Sequence, residues 1–365
     1  MLNKTKIYEL YNREKFRKSI LSYPPLWVTI GITSACMQRC KFCGYHCVDA
    51  KGKSNVYGLP FELSVDDFVK MVNICRKGSV PHIHICGTGE PLLHKGFFEM
   101  LDYLQKVYGE SSFQTNFNEL INKVHKNFLS EIIKRKDKIN YISTDIMSGI
   151  PKEHESVKIN SKLDYVFNCL YELSRYADNI RLNLFFIITK KNYRNISSII
   201  SNLEKRKIKA SLQVVDLMPL GFNDFTEYDN VVTRDDVEII NYLKNIKLNL
   251  KSDLVSFQFP DYFNTSNNRG CHFFWQKFQT WPVKGIDADR YSENVITCAC
   301  NAVVQGKLNS LGYFFDYDNI MDLWNNDIFV KIRENLIKGI YPDEYCKYCI
   351  YGPRKSKIEN LCAEL

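Results

Sequence analysis

Read from the N-terminus, the chain alternates short apolar runs with stretches in which apolar residues recur every three or four positions. An amphipathic, helix-like stretch extends to about residue 22; Pro24 and Pro25 then interrupt it, and PLWVTIGIT (25–33) reads as a buried strand. Ser64 stands where a helix N-cap belongs, ahead of Val65, Phe68, Val69 and Val72 on one face, and Asp66 and Asp67 lie near the positive end of that helix dipole. HIHIC (82–86) reads as the next strand. A helix around 97–107, a strand near 112–115, a helix around 124–133 and a strand at 139–143 follow. Next come a helix around 163–176, the strand IRLNLFFIIT (180–189), a helix near 196–205 and the strand SLQVVDLM (211–218), making six strands and five intervening helices.

Strands that alternate with helices pair in parallel through right-handed crossovers, so the pattern predicts an α/β sheet, open or curled into part of a barrel. Six units fall short of an eight-fold barrel, so the expected fold class is α/β, a partial (β/α)6 TIM-like barrel followed by a small C-terminal domain. From Gly221 the alternation is expected to stop, with 234–250 as a helix in a connecting segment. From Cys271 onward long regular elements are scarce, six cysteines appear, and one amphipathic helix stands out in NIMDLWNNDIFVKIRENLIKG (319–339). A region of that kind needs a metal to supply what its core does not. The expected boundaries are an N-terminal helical extension at 1–25, a core at 26–220, a connecting segment at 221–265 and an auxiliary domain at 266–365.

Composition narrows the class. With 365 residues, 45% hydrophobic and 25% charged, the chain has material for one large core or two smaller ones, which excludes disorder and collagen-like repetition. Its net charge of +8 suits an anionic substrate group, but the charges are too scattered to announce nucleic acid. No apolar run is long enough for a secretory signal or a membrane span, which predicts a cytoplasmic protein with no membrane partner. The 13 cysteines are clustered and odd in number, which argues against a disulfide framework and for metal or redox groups. The isolated Cys75 and Cys169 read as core residues.

The tightest cluster is Cys36-Met-Gln-Arg-Cys40-Lys-Phe-Cys43, on the loop leaving the first strand, the edge where α/β folds place their chemistry. A closed zinc site wants a fourth protein ligand, and this spacing lacks the paired rhythm of zinc ribbons. Three cysteines on a four-iron cluster leave one iron open to bind and activate a small molecule. Cys47 is the candidate fourth ligand, but it would close that iron; His46 reads as a loop residue. The motif resembles that of the radical S-adenosylmethionine (SAM) enzymes, C-x3-C-x2-C with an aromatic residue before the third cysteine, here Phe42. The resemblance runs through most of the chain. It implies a [4Fe–4S] cluster on Cys36, Cys40 and Cys43 whose unique iron chelates SAM. One-electron reduction then cleaves SAM to a 5′-deoxyadenosyl radical that abstracts hydrogen from a substrate C–H bond.

The same resemblance assigns further cofactor contacts. Cys86-Gly87-Thr88-Gly89-Glu90-Pro91 looks like the family's Gly-Gly-Glu-Pro element: glycines let backbone approach a ligand closely, and Glu90 can accept hydrogen bonds from an ammonium group. A glycine turn between strand and helix is the ordinary alternative. Thr115-Asn116 and Ser143-Thr144-Asp145 match places where the family binds the methionine carboxylate and ribose, although such residues also cap strand ends. Met218, at the end of the sixth-strand segment, matches a backbone contact to adenine.

Cys271, Cys298, Cys346 and Cys349, separated by 26, 47 and 2 residues, form a second set. Their frame, which includes Cys271-His-Phe-Phe-Trp275 and Asp322-Leu-Trp324-Asn325, resembles the C-terminal SPASM or shortened twitch extension of the family. That implies one auxiliary [4Fe–4S] cluster, because Lys355 stands where a second would add a cysteine. Four thiolates saturate such a cluster, leaving it an electron-transfer or structural role. Cys300 or Cys362 could replace one ligand, and tetrahedral zinc suits the same four thiolates.

The resemblance fixes hydrogen abstraction but not the fate of the substrate radical, and the sequence assigns no catalytic residue. The expected outcome is oxidation or epimerisation of a small polar substrate such as a sugar or cyclitol, with a flavodoxin or ferredoxin as reductant. The alternative is a maturase acting on a ribosomal peptide or protein. Readings from other classes are a zinc-bearing nucleic-acid-binding protein and a thiol-redox enzyme using Cys346 and Cys349.

Overall fold

The computed structural model describes residues 2–43, 61–87, 89–216, 230–232, 235–259, 271, 273–283, 293–297, 303–304, 307–308 and 310–340. His46, Cys47, Thr88, Met218, Cys298, Cys300, Cys346, Cys349 and Cys362 lie outside the described residues. In chain order the elements begin α1 (Lys4–Glu14), β1 (Trp27–Gly31), β2 (Arg39–Cys40), α2 (Val65–Lys77), β3 (His82–Cys86), α3 (Phe97–Tyr108) and β4 (Ser111–Gln114). They continue with α4 (Phe128–Lys134), β5 (Ile139–Asp145), α5 (Pro151–Val157), β6 (Lys158–Ile159), α6 (Leu163–Tyr176), β7 (Arg181–Ile188), α7 (Asn195–Lys205) and β8 (Ala210–Asp216). Last come α8 (Val237–Asn249), β9 (Val255–Gln258), β10 (Lys277–Val283), β11 (Glu293–Thr297), the two-residue strands β12 (Val303–Val304) and β13 (Lys307–Leu308), α9 (Ile320–Trp324) and α10 (Asp327–Ile337).

The chain forms two compact units, one of Met1–Cys36, Val56–Ser112 and Arg269–Gly352, the other of Met37–Asn55, Phe113–Asn268 and Pro353–Leu365. In the first unit β1 pairs in parallel with β3 and, on its other edge, with β10, whose far side carries β11 antiparallel. Val28, Ile30, Ile83, Ile85 and Phe278 are buried, while the alternate positions Trp27, Thr29, His84 and Gln279 bear polar or amphipathic groups. Helices α2 and α3 pack on each other, burying Phe68, Met71, Val72, Met100, Leu101 and Leu104. Arg333, fully buried on α10, ties the unit together by donating to the carbonyls of Phe274 (2.7 Å) and Ser19 (2.9 Å). Burial drops its pKa to about 9, still high enough to stay charged at neutral pH.

In the second unit β5, β7, β8 and β9 pair in parallel in that order. The register aligns Ser143, Asn183, Ser211 and Ser256 in one row and Asp145, Phe185, Gln213 and Gln258 in the next. Paired positions share a face, so this face is mainly polar, whereas Leu182, Leu184, Phe186, Leu212 and Val214 on the other are buried and apolar. No helix among the described residues is long and apolar enough to cross a membrane.

All six expected strands form. Three expectations change. The stretch 124–133 is not one helix: Asn127 takes a left-handed φ of 56° and α4 starts only after it, behind a 3-10 turn at Glu119–Lys123 capped by Asn118. The stretch 319–339 breaks into α9 and α10, because the Asn326 side chain accepts the Phe329 N–H at 2.9 Å and so starts a second helix. The alternation also continues beyond Gly221, since α8 leads into β9 beside β8.

Candidate functional site

In the first unit the path from β1 to Cys36 is stitched by backbone to the turn after β3. Ile32 N donates to Cys86 O (3.1 Å), Gly89 N to Thr33 O (3.1 Å) and Glu90 N to Ala35 O (2.7 Å). A Cβ on Gly87 would lie 2.7 Å from Thr33 O, and one on Gly89 would overlap the Ala35 carbonyl. The two glycines therefore allow the close approach of the backbone leading to Cys36. Glu90 is fully buried, and its Oε1 accepts the Leu92 N–H at 3.1 Å, capping the 3-10 turn Pro91–Leu93. Cys36 is half-buried on this loop.

Cys40 and Cys43, also half-buried, belong to the second unit. Cys40 lies on β2, which pairs antiparallel with β6 so that Cys40 faces Lys158 and Arg39 faces Ile159. A further bond, Lys41 N to Val157 O at 3.0 Å, extends the pairing, and Cys43 N turns back to Cys40 O at 3.0 Å. Phe42 is half-buried between them. Burial pushes the Cys40 thiol up to about 12, a rise that the Lys158 charge opposes.

Lys158 is only 1% exposed, unusual for a lysine. Its Nζ donates to Asn116 Oδ1 (2.8 Å) and to the Asp145 carbonyl (3.0 Å), with Asp145 Oδ2 at 3.9 Å. Burial holds the Asp145 carboxyl above its ordinary pKa, again opposed by Lys158. His154, fully buried nearby, accepts the Met147 N–H at Nδ1 (3.2 Å), and burial followed by the Lys158 charge lowers it to about 3, so it is neutral. Thr115 and Ser143, expected to touch cofactor, are at most 1% exposed; Thr115 N donates to Ser143 O (2.9 Å), and Thr115 Oγ1 accepts the Phe117 N–H (3.2 Å). The second unit thus gathers Cys40, Asn116, Asp145 and Lys158, and the first gathers Gly87, Gly89 and Glu90 around the approach to Cys36.

Sequence reading missed Lys158. It lies in a charged stretch, on a two-residue strand too short to carry a periodicity, and only its pairing with Cys40 marks it. Of the second cysteine set only Cys271 is described; it is buried, just before the 3-10 turn Phe273–Trp275.

Among the described residues no three His, Cys, Asp or Glu side chains converge as ligands of a single metal ion. Cys40, half-buried opposite the buried Lys158 ammonium, is a soft thiol donor, which fits iron–sulfur chemistry better than a hard cation.

Residues 30–194 match the family model of the Radical SAM superfamily. Mycofactocin maturase MftC of Mycobacterium tuberculosis is 24% identical over 199 residues, 54% of this chain and 46% of that protein, so the chain spans about half the length of the curated relatives it matches. Streptococcus suis SuiB bound to precursor peptide SuiA superposes with a TM-score of 0.61 at 15% identity, over 90% of this chain and 69% of SuiB. Native anSMEcpe with bound AdoMet gives a TM-score of 0.54 at 17% identity, over 88% of this chain and 89% of its own. At such identities the structures compare folds, and the fold is the expected α/β partial barrel. Residues 30–194 thus match the Radical SAM superfamily, whose domain binds a [4Fe–4S] cluster together with S-adenosylmethionine.

Proposed function

We propose that the chain is a radical SAM maturase that modifies a ribosomally made peptide or protein, with Cys36, Cys40 and Cys43 holding the catalytic [4Fe–4S] cluster. The observation that supports the site assignment is Cys40, half-buried on β2 opposite a buried lysine, within the C-x3-C-x2-C spacing of Cys36, Cys40 and Cys43. The substrate class is supported by the relatives, one named a maturase and another bound to a precursor peptide. A sugar or cyclitol is correspondingly less well supported.

When bound, the cluster and SAM supply one-electron abstraction of hydrogen from an unactivated C–H bond. The chain's own residues hold and orient. Lys158 Nζ, fixed by Asn116, presents a positive charge to an anionic group such as the methionine carboxylate, and Glu90, with one oxygen spent on its turn, can take an ammonium. Gly87 and Gly89 fix the loop that carries Cys36, and Met218 takes the adenine contact. The polar face that carries Asn183, Ser211, Gln213 and Gln258 suits a peptide. Asn183 Oδ1 and Ser211 Oγ are buried without a hydrogen-bond partner among the described residues, and backbone amides would satisfy them. Cys271, Cys298, Cys346 and Cys349 are proposed to hold one auxiliary [4Fe–4S] cluster, which would take up the electron that the substrate radical gives up on oxidation, with a flavodoxin or ferredoxin as the external reductant.

Anaerobically purified protein should be brown, absorbing near ~400 nm, and should release 5′-deoxyadenosine from SAM under strong reductant; Cys40→Ala should abolish the release. Offered candidate precursor peptides and, in parallel, cyclitols and sugars, it should remove hydrogen, by mass, from a peptide. A colourless, zinc-loaded preparation overturns the radical reading, and modification of only the small polar compounds overturns the maturase reading.

A further inference from the structure

We propose that the buried ammonium of Lys158, seated opposite Cys40 on the β2–β6 pair, raises the reduction potential of the cluster held by the triad, so that the cluster takes up its electron more readily before SAM is engaged. The inference rests on the assignment of that cluster to Cys36, Cys40 and Cys43.

Geometry supplies the first argument. Residues directly opposed on an antiparallel pair project to the same face with Cβ atoms about 5 Å apart, so a ligand thiolate and the lysine stem leave the pair side by side. The ammonium is held by two neutral oxygens, Asn116 Oδ1 at 2.8 Å and the Asp145 carbonyl at 3.0 Å. The nearest carboxylate oxygen, Asp145 Oδ2, is at 3.9 Å, outside hydrogen-bond range. At hydrogen-bond distance the lysine charge is thus met by two neutral oxygens, and the Asp145 carboxyl pairs with it only at the longer range.

Energetics supply the second argument. A lysine 1% exposed sits where an apolar chain of the same length would avoid the desolvation cost. Its two hydrogen bonds could be made by a neutral amide, and only a role for the charge itself distinguishes lysine from glutamine here. Adding an electron makes the cluster more negative, and a fixed positive charge shielded from solvent favours that state over the oxidised one. Because the charge is buried, salt screens the effect weakly.

The test is EPR-monitored potentiometry on the anaerobically loaded full chain without SAM. Lys158→Met and Lys158→Gln should both shift the catalytic cluster's midpoint to more negative values, the shift persisting at high salt. Lys158→Arg, which keeps the charge, should stay near wild type. The glutamine variant preserves a donor to Asn116, so at least one neutral variant should load iron normally. An unchanged midpoint in an iron-replete neutral variant, or an arginine shift as large as that of methionine, overturns the proposal. Failure of the underlying assignment looks different: Cys40→Ala would then keep the signal of the SAM-responsive cluster.

Discussion

The two glycines after β3 show how one missing methyl group controls the loop that carries Cys36. At Gly89 an added Cβ would overlap the carbonyl of Ala35, which also accepts the Glu90 N–H at 2.7 Å, and neither backbone segment can yield without moving Cys36. Gly109 is the useful contrast. It caps α3 with a φ of 75°, and a Cβ there would meet nothing within 4 Å. Gly89→Ala should therefore cut iron loading at the triad and lower 5′-deoxyadenosine formation at least tenfold while leaving helix content intact. Gly109→Ala should cost about 1 kcal/mol, the strain of a left-handed alanine, and leave loading unchanged. Iron analysis beside circular dichroism checks the pair, and equal loading of the two variants would refute the loop argument.

At the scale of elements, α2 was legible because its signals agree. Ser64 Oγ accepts the Asp67 N–H at 3.0 Å, acids occupy the first turn, and Phe68, Met71, Val72 and Cys75 bury one stripe. Ser64→Ala should cost about 1 kcal/mol in urea unfolding without altering the denaturant slope; a cost near zero would mean the cap is redundant with the acidic turn. The core strands were legible for a similar reason, each being a compact apolar run between helices. The strands that were not legible lack such a signal. In β9 Val255 and Phe257 alternate with exposed Ser256 and Gln258, but over only four residues. In β10 Pro282 and the polar Gln279 and Thr280 disguise a strand whose partner β1 lies far back in the chain. The β2–β6 pair has two residues a side, and so Lys158 stayed hidden while the neighbouring cysteines were plain from their spacing. The glycines were recognised as sites of close approach, but only the structure names the Thr33–Ala35 backbone as what approaches.

Across the whole molecule, the buried titratable groups set a common acid limit. His84 in the first unit and His154 in the second are each lowered to about 3 by burial, with Lys277 and Lys158 respectively adding to the effect. His84 is wedged against Trp27 with Nδ1 at 3.0 Å from Ser112 Oγ, and His154 is bonded at both ring nitrogens. An unfolded histidine takes up its proton near pH 6.5, well above the folded values. Each therefore contributes stability that is complete above about pH 6.5 and lost as the pH falls towards 3, with a slope of about 1.4 kcal/mol per pH unit. Glu14 adds a later loss in the first unit. Burial alone would raise its pKa, but the Ser22 hydroxyl and amide, Arg13 and Lys18 bring it down to about 2, so its contribution is complete above about 4.5 and disappears below that. Unfolding temperature should thus fall steadily below about pH 6.5, before ordinary carboxylates titrate. At matched iron loading, His154→Gln should flatten the part of that fall that belongs to the second unit, and His84→Gln the part that belongs to the first. A melting temperature constant between about pH 7 and pH 5 would show that neither histidine is held neutral by its surroundings.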